Sequence, residues 1–286
     1  MSELARRIAF AVVAAPLSVA AVYYGDAALA TVLASIAGIG AWEFYRIARA
    51  GGSAPLSSVG VALAALVPIA VHAWYLGYPV PGALAGLVVP ALLALAIWMR
   101  GVSGRPLAAV ATTAMGVLYT GVTLSYGYAL RYHPYAIERA AGTALVFLPV
   151  LLTWASDIGG YAAGRMLGRR KLIPAVSPGK TVEGSIGALV ATVAVCLLYV
   201  HYVLEPYAQL TLRPITAVGF GIAMSVTAQV GDLAESLLKR EANVKDSSHI
   251  IPGHGGVLDR FDSLFFVLPV AYLLLGYLLV ALPVRP

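Results

Sequence analysis

The sequence predicts an all-α, polytopic membrane protein with about nine transmembrane helices, a cytoplasmic N-terminus and a C-terminus outside. Of its 286 residues, 60% are hydrophobic and 11% are charged, and the mean hydropathy is +0.85. Ordinary soluble domains are about 45–50% apolar and about 25% charged. A soluble fold of this composition would leave large apolar surfaces in water, so the class of soluble globular proteins is excluded.

Nine hydrophobic stretches approach the length of about 20 residues that a helix needs to cross a hydrocarbon core about 30 Å thick. The first follows Arg6 and Arg7 as in a signal peptide. No small-residue cleavage site follows it and a second stretch begins almost at once, so we interpret it as a membrane anchor. The predicted spans are residues 8–24, 27–45, 58–77, 80–98, 107–129, 143–163, 184–203, 214–231 and 263–282.

Positive charge is distributed unevenly over the connections between these spans. Fifteen of the 19 Lys and Arg residues fall on one side, in five separate segments, and four fall on the other. The positive-inside rule makes the first side cytoplasmic and gives the predicted orientation of the termini. Because the basic residues form no single stripe, the net charge of +6 reflects topology, and we expect no nucleic-acid partner.

We interpret residues 1–130 as an N-terminal transmembrane scaffold of about five helices. Residues 131–286 form a catalytic transmembrane half of about four helices, with cytoplasmic segments 164–183 and 232–262. Ten of the 13 acidic residues lie on the cytoplasmic side or at the inner ends of spans, and they are concentrated in the last two cytoplasmic segments. Because acidic residues contribute little to orientation, this concentration indicates a chemical role. In the fourth span, Gly82 and Gly86 are compatible with a homodimer, and equally with contact between helices of one chain.

The sixth span carries Ser156 and Asp157 near its cytoplasmic end. A carboxylate costs about 2.5–3.5 kcal/mol at mid-bilayer and less near the interface, so Asp157 should face a partner or a wet cavity. A purely structural pairing with Arg165 or Lys180 is the alternative. Glycines then recur at four-residue spacing and predict a smooth ridge for close helix contact, at Gly160, Gly164 and Gly168.

A turn at residues 177–185 leads into the seventh span and contains Lys180. Beside the exposed N–H groups of a helix start, Lys180 could act as a mobile cation for a phosphate. The alternative is an ordinary helix entry, with Pro178 before it and Glu183 complementing the helix dipole. That alternative leaves the position of Lys180 unexplained.

Four polar residues after the eighth span follow helical spacing: Asp232, Glu235, Ser236 and Lys239 lie at i, i+3, i+4 and i+7. They predict one polar stripe on a helix that continues the eighth span beyond the membrane. A solvated helix face is the alternative. The segments that follow the stripe favour a functional site.

A glycine-rich turn and two further carboxylates follow this stripe. Backbone N–H groups in such a turn can form an anion-binding concavity at Gly253, Gly255 and Gly256. Asp259 and Asp262 lie three residues apart at the start of the ninth span and supply the hard oxygen ligands that suit Mg²⁺. These features predict metal–phosphate chemistry on a lipid, and they leave kinase, nucleotidyltransferase, phosphatase and phosphate transporter open.

One long motif narrows the choice. It comprises Ser-Leu-Leu-Lys-Arg at 236–240, Lys-Asp at 245–246 and Ile-Pro-Gly-His-Gly-Gly-Val-Leu-Asp-Arg-Phe-Asp at 251–262. This run resembles the signature of phosphatidate cytidylyltransferases, also called CDP-diacylglycerol synthases, without departure across its 27 positions. Ser156-Asp157 and residues 177–184 are also similar, although many members carry a second lysine at the position of Gly179. The resemblance covers about residues 150–263.

The resemblance implies transfer of the cytidylyl group of CTP to phosphatidic acid, giving CDP-diacylglycerol and pyrophosphate. Mg²⁺ is the implied cofactor, and the implied location is the inner membrane, with the active site at the cytoplasmic face. The implied catalytic residues are Asp157, Lys180, Asp232, Asp246, His254, Asp259 and Arg260. The implied substrate-binding residues are Ser177, Lys180, Ser236, Lys239, Arg240, Lys245, Gly253, Gly255 and Gly256. The implied metal ligands are Asp232 and Asp259, with Asp157 and Asp262 as further ligands.

Two rival functions remain at this point. A CTP-dependent lipid kinase, such as one acting on a polyprenol, would transfer the γ-phosphoryl group and release CDP. A cation-coupled transporter would use Asp157 and Asp232 as a cation pathway. The ionisable residues lie at the cytoplasmic edge, whereas transporters bind their substrates near the midplane, which disfavours the transporter.

Overall fold

Helices make up most of the chain in the computed structural model, which describes residues 3–251 and 255–283, with the backbone alone for residues 3–11. Within these ranges the chain forms nine continuous helical segments, because two helices and the π-helical turn between them join into one segment over residues 106–131. The helices are α1 (Glu3–Tyr24), α2 (Asp26–Ala50), α3 (Ser57–Tyr75), α4 (Ala83–Met99), α5 (Pro106–Gly116), α6 (Thr123–Arg131), α7 (Arg139–Leu167), α8 (Val182–Tyr199), α9 (Pro214–Glu241) and α10 (Leu258–Leu278). The π-helical turns are Val117–Val122, between α5 and α6, and Val200–Ala208, after α8.

Seven helical segments of the described part of the chain are long and apolar enough to cross a membrane. Two further apolar helical segments, Val12–Tyr24 and Ala83–Met99, are shorter. Large apolar side chains such as Trp98 and Leu107 are exposed, as lipid contact requires. The prediction of an all-α, multi-pass membrane protein is confirmed, whereas the number of spans and the direction of the termini stay predictions.

Four short strands in the described part of the chain form two antiparallel pairs, and the hydropathy pattern did not predict them. Strand β1 (Lys171–Ile173) pairs with β2 (Ser177–Thr181) and connects α7 to α8. Strand β3 (Leu210–Thr211) pairs with β4 (Val280–Ala281). The hydroxyl of Thr181 accepts a hydrogen bond from the Gly184 amide at 3.1 Å and caps α8, so the β1–β2 hairpin runs directly into that helix.

The chain divides into two compact units, and α9 and α10 each contribute residues to both. The first unit comprises residues 1–128 and 238–261. At its centre the fully buried Tyr45 of α2 donates a hydrogen bond to the Thr113 carbonyl at 2.7 Å. A Cβ at Gly60 or Gly116 would overlap the Tyr45 ring, so these glycines let α3 and α5 pack directly on it. This packing fixes the C-terminal part of α2.

The second unit comprises residues 129–237 and 262–286. Its α7 and α8 meet along a seam of small residues, where a Cβ at Gly159 would lie 2.8 Å from the Gly187 carbonyl oxygen. A Cβ at Gly160 would contact the Ala188 methyl at 3.5 Å, and one at Gly164 would lie 3.2 Å from the Thr181 hydroxyl. The predicted close helix contact at the glycine ridge is therefore confirmed.

Candidate active site

A cavity of ≈ 440 Å³ in the second unit gathers polar side chains from α7, β2, α8 and α9. We call it the polar cavity. Its wall contains carboxylates, cations, hydroxyls and an amide, and it is open to the outside of the unit. The polar lining residues are Ser156, Asp157, Tyr161, Arg165, Lys180, Thr181, Ser185, Gln229 and Asp232.

Three predicted catalytic residues meet in the polar cavity. Lys180 forms an ion pair with Asp232 at 2.5 Å, and the two side chains are 26% and 33% exposed. Asp157 lines the same cavity, as expected for a carboxylate placed in a span. Ser236, a predicted substrate-binding residue, donates to Asp232 at 3.4 Å. Two carboxylates and a lysine thus converge where a ligand can reach them.

Buried polar contacts support the α7–α9 side of the cavity. The Gln229 amide donates to the Ser225 hydroxyl at 3.1 Å, and the Ser225 hydroxyl lies 3.3 Å from that of Ser156. Sequence reasoning missed Ser225 and Gln229. Their signal was present, because with Asp232 they follow helical spacing and extend the predicted stripe of α9 backwards.

The β1–β2 hairpin that carries Lys180 is held by hydrogen bonds at its base. The Glu183 carboxylate accepts from the backbone amides of Arg169 at 2.9 Å and Arg170 at 3.2 Å. The Lys171 amine donates to the Pro178 carbonyl at 2.7 Å. Glu183 therefore closes the hairpin in addition to complementing the dipole of α8. Lys180 consequently sits on an ordered strand.

A second cluster of predicted residues lies in the first unit and centres on Asp259. Lys239 contacts Asp259 at 2.8 Å, with the two side chains 14% and 9% exposed. The same carboxylate accepts from the Ser247 hydroxyl at 2.8 Å, the Ser247 amide at 3.1 Å and the Gly256 amide at 2.8 Å. We call these residues, together with Glu43, the Asp259 network.

Glu43 and Ser247 are the residues of this cluster that were not predicted from the sequence. Glu43 lies on α2, within the predicted scaffold, is fully buried, and accepts hydrogen bonds from the segment between Lys245 and Asp259. Its only sequence signal was an acidic residue inside a predicted span. Nothing in the local sequence indicates partners more than 200 residues away.

The remaining predicted residues occupy varied positions. Ser177 begins β2 and is half-buried, and the half-buried Asp262 accepts from the Ser263 amide at 2.6 Å. Gly255 adopts a φ of +80°, as the predicted turn requires. Gly253 and His254 lie outside the described residues. Exposed positions are occupied by Arg240, Lys245, Asp246 and Arg260.

The donor set of the polar cavity fits a magnesium ion held together with a substrate phosphate. Mg²⁺ typically uses one or two carboxylates and fills its other positions with water and phosphate oxygens. Asp157 and Asp232 provide two carboxylates beside hydroxyl and amide oxygens. Within residues 3–251 and 255–283, no group of three or more Asp, Glu, His or Cys residues that could hold a metal ion is found.

The chain is 41% identical over 161 residues to phosphatidate cytidylyltransferase of Staphylococcus haemolyticus, covering 56% of this chain and 57% of that protein. It is 44% identical over 135 residues to the enzyme of that name from Bacillus subtilis, covering 47% and 48%. The alignments thus span about half the length of these curated relatives. Residues 5–278 match the profile of the cytidylyltransferase family, so the chain belongs to that family.

Proposed function

We propose that this protein transfers the cytidylyl group of CTP to phosphatidic acid, giving CDP-diacylglycerol and pyrophosphate. The observation that carries the proposal is the convergence of Asp157, Lys180 and Asp232 in one open cavity. The proposal is supported by the relatives, which are named phosphatidate cytidylyltransferases, and by the match to the cytidylyltransferase family. A membrane-embedded chain with this cavity suits a reaction between a soluble nucleotide and a lipid.

The proposed reaction is a direct in-line displacement. An ionised oxygen of the lipid phosphate forms a bond to the α-phosphorus of CTP while the bond to pyrophosphate breaks. Because phosphatidate is largely ionised near neutral pH, no protein nucleophile or strong base is needed. Catalysis then consists of positioning two polyanions and neutralising their charge, the main means available to phosphoryl-type transfer.

Lys180 has the geometry to neutralise a phosphate, because its partly exposed ion pair with Asp232 can be exchanged for a ligand. We propose that Lys239, Arg240, Lys245 and Arg260 share this role. Ser177, Ser236 and the amides of Gly253, Gly255 and Gly256 would add hydrogen bonds. We assign Asp246 to catalysis and His254 to phosphate contact or bracing of its turn.

Magnesium would supply Lewis-acid stabilisation of the developing negative charge when bound. Asp232 and Asp157 are proposed to hold it, and the roles of Asp259 and Asp262 as further ligands stay predictions from the sequence. The carboxylates of Asp157 and Asp232 already line one cavity with other oxygen donors. Asp259 is held by donors of its own loop and by Lys239, which orients its carboxylate.

The decisive experiment uses purified protein, phosphatidic acid in mixed micelles and CTP labelled at one phosphate. Label on the α-phosphate should enter the lipid, and label on the γ-phosphate should appear in pyrophosphate. Removal of divalent ions with EDTA should stop the reaction, and added Mg²⁺ should restore it. Transfer of γ-label to a lipid would support the kinase instead. Solute movement in proteoliposomes without CTP would support the transporter.

We further propose nine spans, a cytoplasmic N-terminus and an active site at the cytoplasmic face of the cell membrane. The described Cys196 is buried, so single cysteines placed in loops can report sidedness. Ser103→Cys should be labelled from the cytoplasmic side and Ile137→Cys from the outer side, and the reverse pattern would contradict the orientation. A homodimer through Gly82 and Gly86 stays a prediction, to be tested by the mass of the detergent-solubilised protein.

A further inference from the structure

We propose that Glu43 is a positioning residue for Asp259 and the loop around it, and this inference rests on the proposed function. Glu43 is fully buried near the C-terminal end of α2. Its carboxylate accepts from the amides of Val257 at 3.0 Å and Leu258 at 2.5 Å. It also accepts from the hydroxyls of Ser247, at 3.2 Å, and Ser248.

The Val257 and Leu258 amides and the Ser248 hydroxyl occupy three of the four lone-pair directions of the carboxylate, and the Ser247 hydroxyl, which Asp259 also contacts, can occupy the fourth. All of them come from one segment more than 200 residues away in sequence. A buried carboxylate is costly unless it is fully hydrogen-bonded, so Glu43 and this segment must be ordered together. Charge-assisted bonds of this kind are also stronger than neutral ones.

The two backbone donors belong to the beginning of α10. Leu258 is the first residue of that helix, and Val257 precedes it. First-turn amides have no partner within their own helix, and a negative charge is favourable there. Glu43 therefore caps α10 from another helix and fixes the point from which Asp259 projects.

Ser247 joins Glu43 to Asp259. Its hydroxyl lies 3.2 Å from the Glu43 carboxylate and 2.8 Å from that of Asp259. The one hydroxyl proton serves one carboxylate at a time, while the Ser247 amide donates to Asp259 in addition. A Cβ at Gly256 would overlap both the Ser247 hydroxyl oxygen and a Glu43 oxygen, so the loop closes tightly on Glu43. Displacing Glu43 would consequently shift Ser247, Gly256 and Asp259 together.

The first test is Glu43→Gln, which keeps the size of the side chain but presents an NH₂ donor to N–H and O–H donors. We expect kcat to fall by about 10²-fold, as for a displacement of about 1 Å near reacting groups. KM for CTP should change less, because several cations share the binding of phosphate. Tyr45→Phe is the matched control: it removes a buried hydrogen bond of the same helix without touching the loop, and should retain kcat.

A second readout follows loop order without any substrate. A spin label at Ile250→Cys, in a Cys196→Ala background, should become more mobile in Glu43→Gln and stay unchanged in Tyr45→Phe. Unchanged mobility in Glu43→Gln, or an equal loss of kcat in Tyr45→Phe, would overturn the proposal. If the wild type makes no CDP-diacylglycerol, the proposed function fails, whereas label mobility still decides the role of Glu43.

Ser248→Ala keeps the proposal falsifiable if Glu43→Gln does not fold. It removes one donor to Glu43 and the acceptor of the Ile250 amide, and it leaves the hydrogen bonds of Asp259 in place. Because the Ile250 bond is lost in any case, kcat is the readout for this variant, and we expect about a tenfold loss, smaller than the effect of Glu43→Gln. Wild-type kcat in Ser248→Ala would contradict the positioning role.

Discussion

The two clusters of charged residues contain similar side chains in different settings. In the polar cavity, the Lys180–Asp232 pair is 26% and 33% exposed, and Asp232 also accepts a long hydrogen bond from Ser236. In the Asp259 network, the Lys239–Asp259 pair is 14% and 9% exposed, and Asp259 also accepts two amide bonds and a hydroxyl bond. The first pair is therefore more accessible to a ligand, whereas the second also holds the backbone of its loop in place.

The energetic consequences of the two settings differ. Partly exposed pairs contribute about 0–1 kcal/mol to stability, so their charges remain available for binding. Removing one partner of a buried pair costs about 3–5 kcal/mol, because the other charge is left uncompensated. We therefore expect substitutions in the polar cavity to change activity with little effect on stability. Substitutions in the Asp259 network should change both.

The largest effect on activity is expected for Asp232→Asn. The neutral amide cannot neutralise Lys180 and is a weak magnesium ligand, so turnover should fall at least about 10³-fold. The melting temperature in detergent should stay within a few degrees of wild type. The rate of production of labelled CDP-diacylglycerol measures turnover, and thermal unfolding measures the melting temperature. Glu241→Gln, an exposed position on the same helix, is the control, and wild-type turnover in Asp232→Asn would refute the assignment.

Gly256→Ala should lower both activity and stability, whereas Asp232→Asn should lower activity alone. Its new methyl group would overlap the Ser247 hydroxyl and the Glu43 carboxylate, at a cost of about 1–3 kcal/mol. Thermal unfolding and turnover should be measured on the same preparation. Gly219→Ala is the matched control, since a Cβ there meets nothing within 4 Å and the residue is helical. A Gly256→Ala protein with wild-type melting temperature would remove the distinction between the two clusters.

Lys180→Gln should have a smaller effect, mainly on binding. Loss of one phosphate-binding cation should raise KM for CTP or phosphatidate by about 10–100-fold. Steady-state kinetics with each substrate varied separately would show which one Lys180 contacts. Arg169→Gln is the control: it removes an exposed cation next to the same hairpin, keeps the backbone amide that donates to Glu183, and should change neither KM beyond about threefold. Unchanged KM values in Lys180→Gln would argue against phosphate contact.

The smallest effect concerns His133, a buried residue of the second unit outside the spanning helices. Burial lowers the pKa of His133, and its Nδ1 accepts from the Tyr135 amide at 3.3 Å. The folded state thus prefers the neutral ring, whose stabilisation is complete above the unfolded pKa of about 6.5 and is lost as pH falls through the lower folded pKa. The melting temperature should decline modestly from pH 7.5 to 5.5. His133→Gln should flatten this decline, and an equal slope in both proteins would contradict the assignment.

Hydropathy was sufficient to predict the fold class, because lipid requires long apolar helices whatever their detailed packing. The helical spacing of Asp232, Glu235, Ser236 and Lys239 correctly predicted that the helix continues beyond the eighth predicted span; in the structure, α9 ends at Glu241. The alternative of a solvated stripe is wrong for Glu235, which is fully buried. The β1–β2 hairpin was not predicted, because three- and five-residue strands leave too short a pattern to recognise.

Residues of the candidate site were predictable where a charge next to a predicted span marked them, and they were not predictable where only a distant partner explains them. Asp157, Lys180 and Asp232 stood out as charges next to spans, and they share the polar cavity. Glu43 was one acidic residue within the predicted scaffold, and the donors to its carboxylate are contributed by residues 247–258. Pairings between helices far apart in sequence depend on tertiary packing, which a single sequence does not encode locally.

The contact between α7 and α8 has a consequence for how the cavity could change over time. Asp157 precedes Gly159 by two residues, and Lys180 precedes Gly184 by four, so this seam of small residues sets the spacing of the two backbone segments that carry the carboxylate and the amine. Backbone resting on backbone leaves no side-chain rotamer to adjust that width. A cavity that accepts a bulkier ligand would thus require changes at exposed lining residues such as Tyr161 and Arg165. Substitutions that add a methyl group between the two helices would not widen it.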